Sequence, residues 1–135
     1  MLYFFEEDNE IMSCILLVDD ETQISSLLSV KLKMSGFAVF STANGTEAIE
    51  LARKIKPDLI VMDVKRPNFD GIQVYWAIRN FSNVSVVFMR SQLGASEKVR
   101  GIGARGFANK PFDIDKLIEK LRTTLYSPGS PYFTL

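Results

Sequence analysis

Three short apolar runs most constrain how this chain can fold: CILLV (14–18), LIVM (59–62) and VSVVFM (84–89), the last interrupted only by Ser85. A strand open to solvent on one face alternates apolar with polar residues, whereas an unbroken apolar run suits a strand covered on both faces. Between the runs, apolar residues recur at helical spacing: Ile24, Leu27, Leu28 and Leu32; Ala48, Ile49, Ala52 and Ile55; Ile72, Tyr75 and Ile78; Ile114, Leu117, Ile118, Leu121 and Leu125. A β-rich stretch at 37–40, a weak helix candidate at 94–102 and a minimal strand at 106–108 complete five strands alternating with five helices. That order predicts an α/β fold: a flavodoxin-like, doubly wound (βα)5 parallel sheet, strand order 2-1-3-4-5, in three α/β/α layers with right-handed crossovers.

Local punctuation agrees. Gly36 stops the first helix, Asn44-Gly45 turns the chain into the second, Pro57 ends it, and Asp113 is placed to cap the last. Residues 1–13, with Glu6, Glu7, Asp8 and Glu10, read as an irregular acidic N-terminal extension, and 14–125 as one folded domain. Residues 126–135, containing Pro128, Gly129 and Pro131, read as a flexible C-terminal tail.

Composition then narrows the chemistry. The 16 Lys and Arg balance 16 Asp and Glu, which leaves no bulk positive charge to hold a nucleic-acid backbone directly. With no His and a single Cys14, the imidazole and thiolate metal sites and the Ser–His and Cys–His nucleophile pairs are excluded. Oxygen-ligated cations remain. No apolar run approaches the ~20 residues of a membrane span, and 2–5 is too short for a signal peptide. The expectation is a reduced, cytoplasmic protein without a membrane partner.

In an open parallel sheet, ligands bind beyond the carboxyl ends of the strands, where strand order reverses. There the sequence places its acids: Asp19-Asp20 after strand one and Asp63 at the end of strand three, with Lys110 after strand five. Each alone has a plain alternative as a turn former or a solvated loop charge. Together they crowd carboxylates at one corner within reach of a long cation, an arrangement suited to Mg2+ and to phosphoryl transfer onto Asp63.

The chain resembles the receiver domain of two-component response regulators from about residue 15 to 125. The resemblance rests on ILLVDDE (15–21), PDLIVMDVKRPNFDG (57–71), Gly103-Ala104 and NKPFDID (109–115). It implies that Asp63 accepts a phosphoryl group from a phosphohistidine of a sensor histidine kinase or histidine phosphotransferase. It also implies that Asp20, Asp63 and the Lys65 backbone carbonyl bind Mg2+ directly, Asp19 through water, while Lys110 contacts the phosphoryl group. The bond between Lys110 and Pro111 is then expected to be cis, and Phe107 occupies the position of the aromatic switch residue.

Three departures from the pattern stand out. Threading SVVFMRS without a gap puts Arg90 where the family has a Thr or Ser hydroxyl; Ser91 takes that place only if the strand end bulges by one residue. The stretch from Arg90 to Gly103 is about two residues shorter than usual, so the fourth helix, part of the family's signalling face, is expected to be short or irregular. Lys65-Arg66 puts two cations beside the corner, where the position after Lys65 is often apolar. Trp76 and Cys14 read as packing residues.

The resulting expectation is a stand-alone receiver: a phosphoacceptor that signals by contact with an unidentified downstream protein and is not a turnover enzyme. The alternative is a degenerate receiver that binds a partner independently of phosphorylation. A flavin-binding flavodoxin has little support, because strand one runs into acids instead of a Ser/Thr/Gly-rich phosphate loop.

Overall fold

A computed structural model describes residues 3–5, 10–20, 22–66, 69–90 and 95–135. A hairpin of β1 (Tyr3–Phe5) and β2 (Glu10–Met12) comes first, with Tyr3 opposite Met12. The main body continues as β3 (Cys14–Val18), α1 (Thr22–Met34), β4 (Ala38–Thr42), α2 (Gly45–Ile55) and β5 (Leu59–Asp63). A small antiparallel pair, β6 (Lys65–Arg66) and β7 (Phe69–Asp70), leads to α3 (Gly71–Arg79). Then come β8 (Ser85–Arg90), α4 (Ala95–Gly101), β9 (Gly106–Asn109), α5 (Ile114–Tyr126) and β10 (Phe133–Thr134).

The main sheet is parallel throughout, in the order β10-β9-β8-β5-β3-β4. Its first five strands in chain order, β3, β4, β5, β8 and β9, take the expected 2-1-3-4-5 arrangement. All five residues of β3 and all five of β5 are buried, as unbroken apolar runs require. Alternation divides them between two cores. Cys14, Leu16 and Val18 pack with Ala48, Ala52, Val74, Ile78 and Val99 beneath α2, α3 and α4. Ile15 and Leu17 pack with Leu28, Leu32, Leu117 and Leu121 beneath α1 and α5.

Helix ends follow the local chemistry. The Asn44 side chain accepts a hydrogen bond from the Glu47 amide at 3.0 Å, and Lys56, at φ 47°, ends α2 in the left-handed region just before Pro57. Asp113 caps α5 by accepting from the Lys116 amide at 3.2 Å. The fourth helix, at seven residues, is short, as expected.

Two terminal segments differ from the sequence reading. Within the N-terminal extension expected to be irregular, residues 3–5 and 10–12 pair as antiparallel strands. The tail expected to be flexible instead adds a sixth strand, because Phe133 lies opposite Gly106 and packs where that residue has no Cβ. Among the interior elements, strand two is shifted: Phe37 precedes β4 and is buried in the core beneath α1 and α5.

Candidate functional site

The corner at the carboxyl ends of β3 and β5 is built mainly from main-chain contacts. Beyond β3, the Asp19 amide donates to the Thr42 carbonyl at 3.1 Å, which fixes the first acidic residue against β4. Beyond β5, the Val64 amide donates to the Met89 carbonyl at 3.0 Å, so pairing with β8 continues past Asp63.

The chain then folds back on the same point. The Gly71 amide donates to the Val64 carbonyl at 2.7 Å, and Asp70 Oδ1 caps α3 through the amides of Ile72 at 2.9 Å and Gln73 at 3.4 Å. Gly71 is required by close approach: a Cβ there would lie 2.1 Å from the Asp63 carbonyl oxygen and 2.8 Å from that of Val64. Gly71, the last residue of the DVKRPNFDG motif, therefore packs directly over the backbone of Asp63.

Lys110 enters from the far side. Its amide donates to the Arg90 carbonyl at 2.9 Å, and its bond to Pro111 is cis. Its ammonium Nζ donates to Asp19 Oδ2 at 2.9 Å and to Asp63 Oδ2 at 2.8 Å. The side chains of Lys110, Asp19 and Asp63 are only 5%, 0% and 2% exposed. Two buried carboxylates thus share the Lys110 cation in a place where charge is hard to solvate.

Asp20 follows as a half-buried residue. Arg90 is the last residue of β8, half-buried, with its backbone opposite Asn109. Phe107 is buried in the layer beneath α2, α3 and α4. The backbone of Lys65 pairs with Asp70, whereas Ser91, the alternative to Arg90, lies outside the described residues. Of the sites proposed from the sequence, the structure brings Asp19, Asp63 and Lys110 into direct contact.

Residues 15–122 match the family described as the response regulator receiver domain. This chain belongs to that family. Over 116 residues the receiver is 29% identical to the transcriptional regulatory protein KdpE of Mycobacterium tuberculosis, covering 84% of this chain and 51% of KdpE. It is 31% identical over 129 residues to the probable transcriptional regulator ycf27 of Guillardia theta, covering 94% of this chain and 51% of that protein. The receiver therefore spans about half the length of these curated relatives. Among solved structures, it is similar to the chemotaxis response regulator CheY4 of Vibrio cholerae. The TM-score is 0.76 at 29% identity, over 84% of this chain and 99% of CheY4.

The donor chemistry of the receiver's corner fits a hard cation. It offers carboxylate and main-chain oxygens, and Mg2+ binds through one or two carboxylates while keeping much of its water. Among the described residues, no group of three or more Cys, Asp or Glu side chains forms a metal site by itself.

Sequence reasoning missed two contacts that hold the strands bearing this corner. At the opposite, amino end of the sheet, Asp58 Oδ2 accepts from the Cys14 amide at 2.7 Å, tying the start of β3 to the residue before β5. The Asn109 amide, one residue from Lys110, donates to the Leu135 carbonyl at 2.8 Å. An acid just before a strand and a glycine inside one were the available signals. Among the described residues, no helix is long and apolar enough to cross a membrane.

Proposed function

We propose that this receiver accepts a phosphoryl group on Asp63 from the phosphohistidine of a sensor histidine kinase or histidine phosphotransferase. It then signals through contact with a downstream protein. The observation that carries this reading is the buried pairing of Asp63 with Lys110 at 2.8 Å, at the carboxyl edge of a parallel sheet. In the transfer, a carboxylate oxygen of Asp63 attacks: an O–P bond forms at Asp63 as the donor's N–P bond breaks, and that electron pair returns to the imidazole nitrogen.

The Lys110 ammonium offsets charge on the phosphoryl oxygens during transfer. Asp20, Asp63 and the Lys65 carbonyl are the residues that would hold Mg2+, with Asp19 acting through water. When bound, the ion supplies further neutralisation of the phosphoryl oxygens. Arg90, at the end of β8, brings a guanidinium where the family has a hydroxyl, a group suited to clamping a phosphoryl group through two hydrogen bonds. Because Asp63 is 2% exposed, neighbouring groups must move aside before a donor reaches it.

A surface beside the corner suits a helical donor. Leu27, Val30 and Met34 on α1 are exposed by 51%, 53% and 78%, and Leu27 borders an apolar groove with Pro111, Phe112 and Ile114. Each transfer modifies the receiver itself, so it acts as a signalling substrate in the cytoplasm, without contacting nucleic acid directly.

The test is intact-mass spectrometry after incubation with acetyl phosphate and other small donors, with and without Mg2+. A phosphoryl adduct that requires Mg2+ and is absent from Asp63→Asn is the expected result. Failure of the folded protein to form an adduct with any donor would replace this reading with that of a phosphorylation-independent binding module.

A further inference from the structure

Residues 130–135 form a latch across one edge of the sheet. Phe133 lies opposite Gly106 and Thr134 opposite Phe107 in parallel register. The main chain is joined by Phe133 N to Arg105 O at 3.4 Å, Leu135 N to Phe107 O at 2.9 Å and Asn109 N to Leu135 O at 2.8 Å. Side chains alternate as in a strand: Tyr132 packs on the core beneath α4, while Phe133 and Leu135 pack on the core beneath α5.

Gly106 makes room for the Phe133 ring. A Cβ at that position would come within 2.1 Å of Phe133 Cε2. The Tyr132 hydroxyl donates to the Ser96 carbonyl at 3.0 Å and lies 2.9 Å from Ser96 Oγ, with the Arg100 guanidinium 5.2 Å from its ring. Arg105 Nη2 donates to the Ser130 carbonyl at 3.3 Å and to Ser130 Oγ at 3.1 Å. The segment thus bridges α4 and β9, yet only two of its residues pair in the sheet. So short a strand belongs among the elements that open at low free energy.

Its last hydrogen bond falls beside the corner. Asn109 donates to Leu135, and the next residue, Lys110, donates through its backbone to Arg90 and through Nζ to Asp19 and Asp63. A phosphoryl group on Asp63 gives Lys110 new oxygen partners in place of the present carboxylate bridge. Any adjustment of its backbone acts directly on the peptide that holds the tail.

We propose that docking of residues 130–135 and modification of Asp63 are thermodynamically coupled. The docked tail favours the unmodified receiver, and a phosphoryl group releases the tail and bares the edge of β9 between α4 and α5. This inference rests on the phosphoacceptor reading of Asp63. Coupling must be reciprocal, so loosening the tail strengthens binding at Asp63 by the same factor that modification loosens the tail.

The test is hydrogen exchange of the Phe133 and Leu135 amides in the full chain, with Mg2+, before and after addition of beryllofluoride, a reversible tetrahedral mimic of the acyl phosphate. Exchange is expected to rise by about five-fold or more. The double variant Tyr132→Ala, Phe133→Ala should bind beryllofluoride more tightly by a similar factor, and Gly106→Ala, which disturbs the Phe133 contact from the other side, should act in the same direction. Beryllofluoride binding with unchanged or slower tail exchange overturns the coupling and leaves the phosphoacceptor reading intact. Neither beryllofluoride binding nor an acetyl phosphate adduct in the folded protein overturns both.

Discussion

Gly106 opens β9 and Lys110 follows its last residue, yet the two ends of this short strand are held in opposite ways. At the corner, one ammonium joins two carboxylates, all nearly excluded from water. At the edge, an aromatic ring lies against a residue without a side chain, and main-chain hydrogen bonds complete the contact. A buried charge pair tolerates no loss of a partner, because what remains is an unsolvated ion. Packing and main-chain pairing at an edge can be exchanged for water or for another chain at much smaller cost. The corner therefore preserves geometry, while the edge is the part that can respond to it.

The largest expected effect comes from breaking the corner. Lys110→Met leaves two buried carboxylates without their shared cation and should destabilise the protein by about 3–5 kcal/mol, measured by urea unfolding in EDTA. Adding Asp63→Asn should recover a substantial part of that loss, because it removes one of the two stranded charges. Asp63→Asn alone should preserve the fold and slightly stabilise the metal-free protein, since it relieves the crowding of two carboxylates on one ammonium. If the double variant is no more stable than Lys110→Met, charge does not govern the corner.

A smaller effect sharpens the comparison by moving the corner without altering its charges. Gly71→Ala drives a methyl group into the Asp63 and Val64 carbonyls, which belong to the backbone and have little room to yield. A loss of about 1–3 kcal/mol is expected, with slower adduct formation at an unchanged Asp63 carboxylate. The corresponding change at the edge, Gly106→Ala, meets a ring that can swing away. Its effect on global stability should be less than that of Gly71→Ala.

The same contrast explains what was legible in the sequence. Cys14–Val18 and Leu59–Asp63 announced themselves because burial on both faces leaves a local signature, an unbroken apolar run. Asp19, Asp63 and Lys110 were legible because strand ends in such a sheet converge on one corner. Phe133–Thr134 has no periodicity to read: its pairing depends on Gly106, 27 residues earlier, and on Ser96 and Arg105. Tyr132, Phe133 and Thr134 are β-prone, and Gly106 inside a strand marked a close approach, but only the folded chain joins the two signals.

The smallest expected effect is a pH dependence confined to the edge. Burial pushes the Tyr132 phenol above its ordinary value of 10.0; Glu97 adds to the rise, while the hydrogen bond with Ser96 and the charge of Arg100 oppose it. The docked tail therefore holds the phenolic proton more tightly than the released tail does. This contribution to docking is fully present below the ordinary value and is lost as pH rises through the higher, docked one. Ionisation also removes the proton that the hydroxyl donates to the Ser96 carbonyl. Proteolysis at 127–131 should accordingly quicken at alkaline pH in the native chain and show a weaker pH dependence in Tyr132→Phe, after correction for the protease's own pH profile. Identical slopes in the two proteins would mean that Tyr132 packs against α4 as a ring alone, and that its hydroxyl contributes nothing to holding the edge.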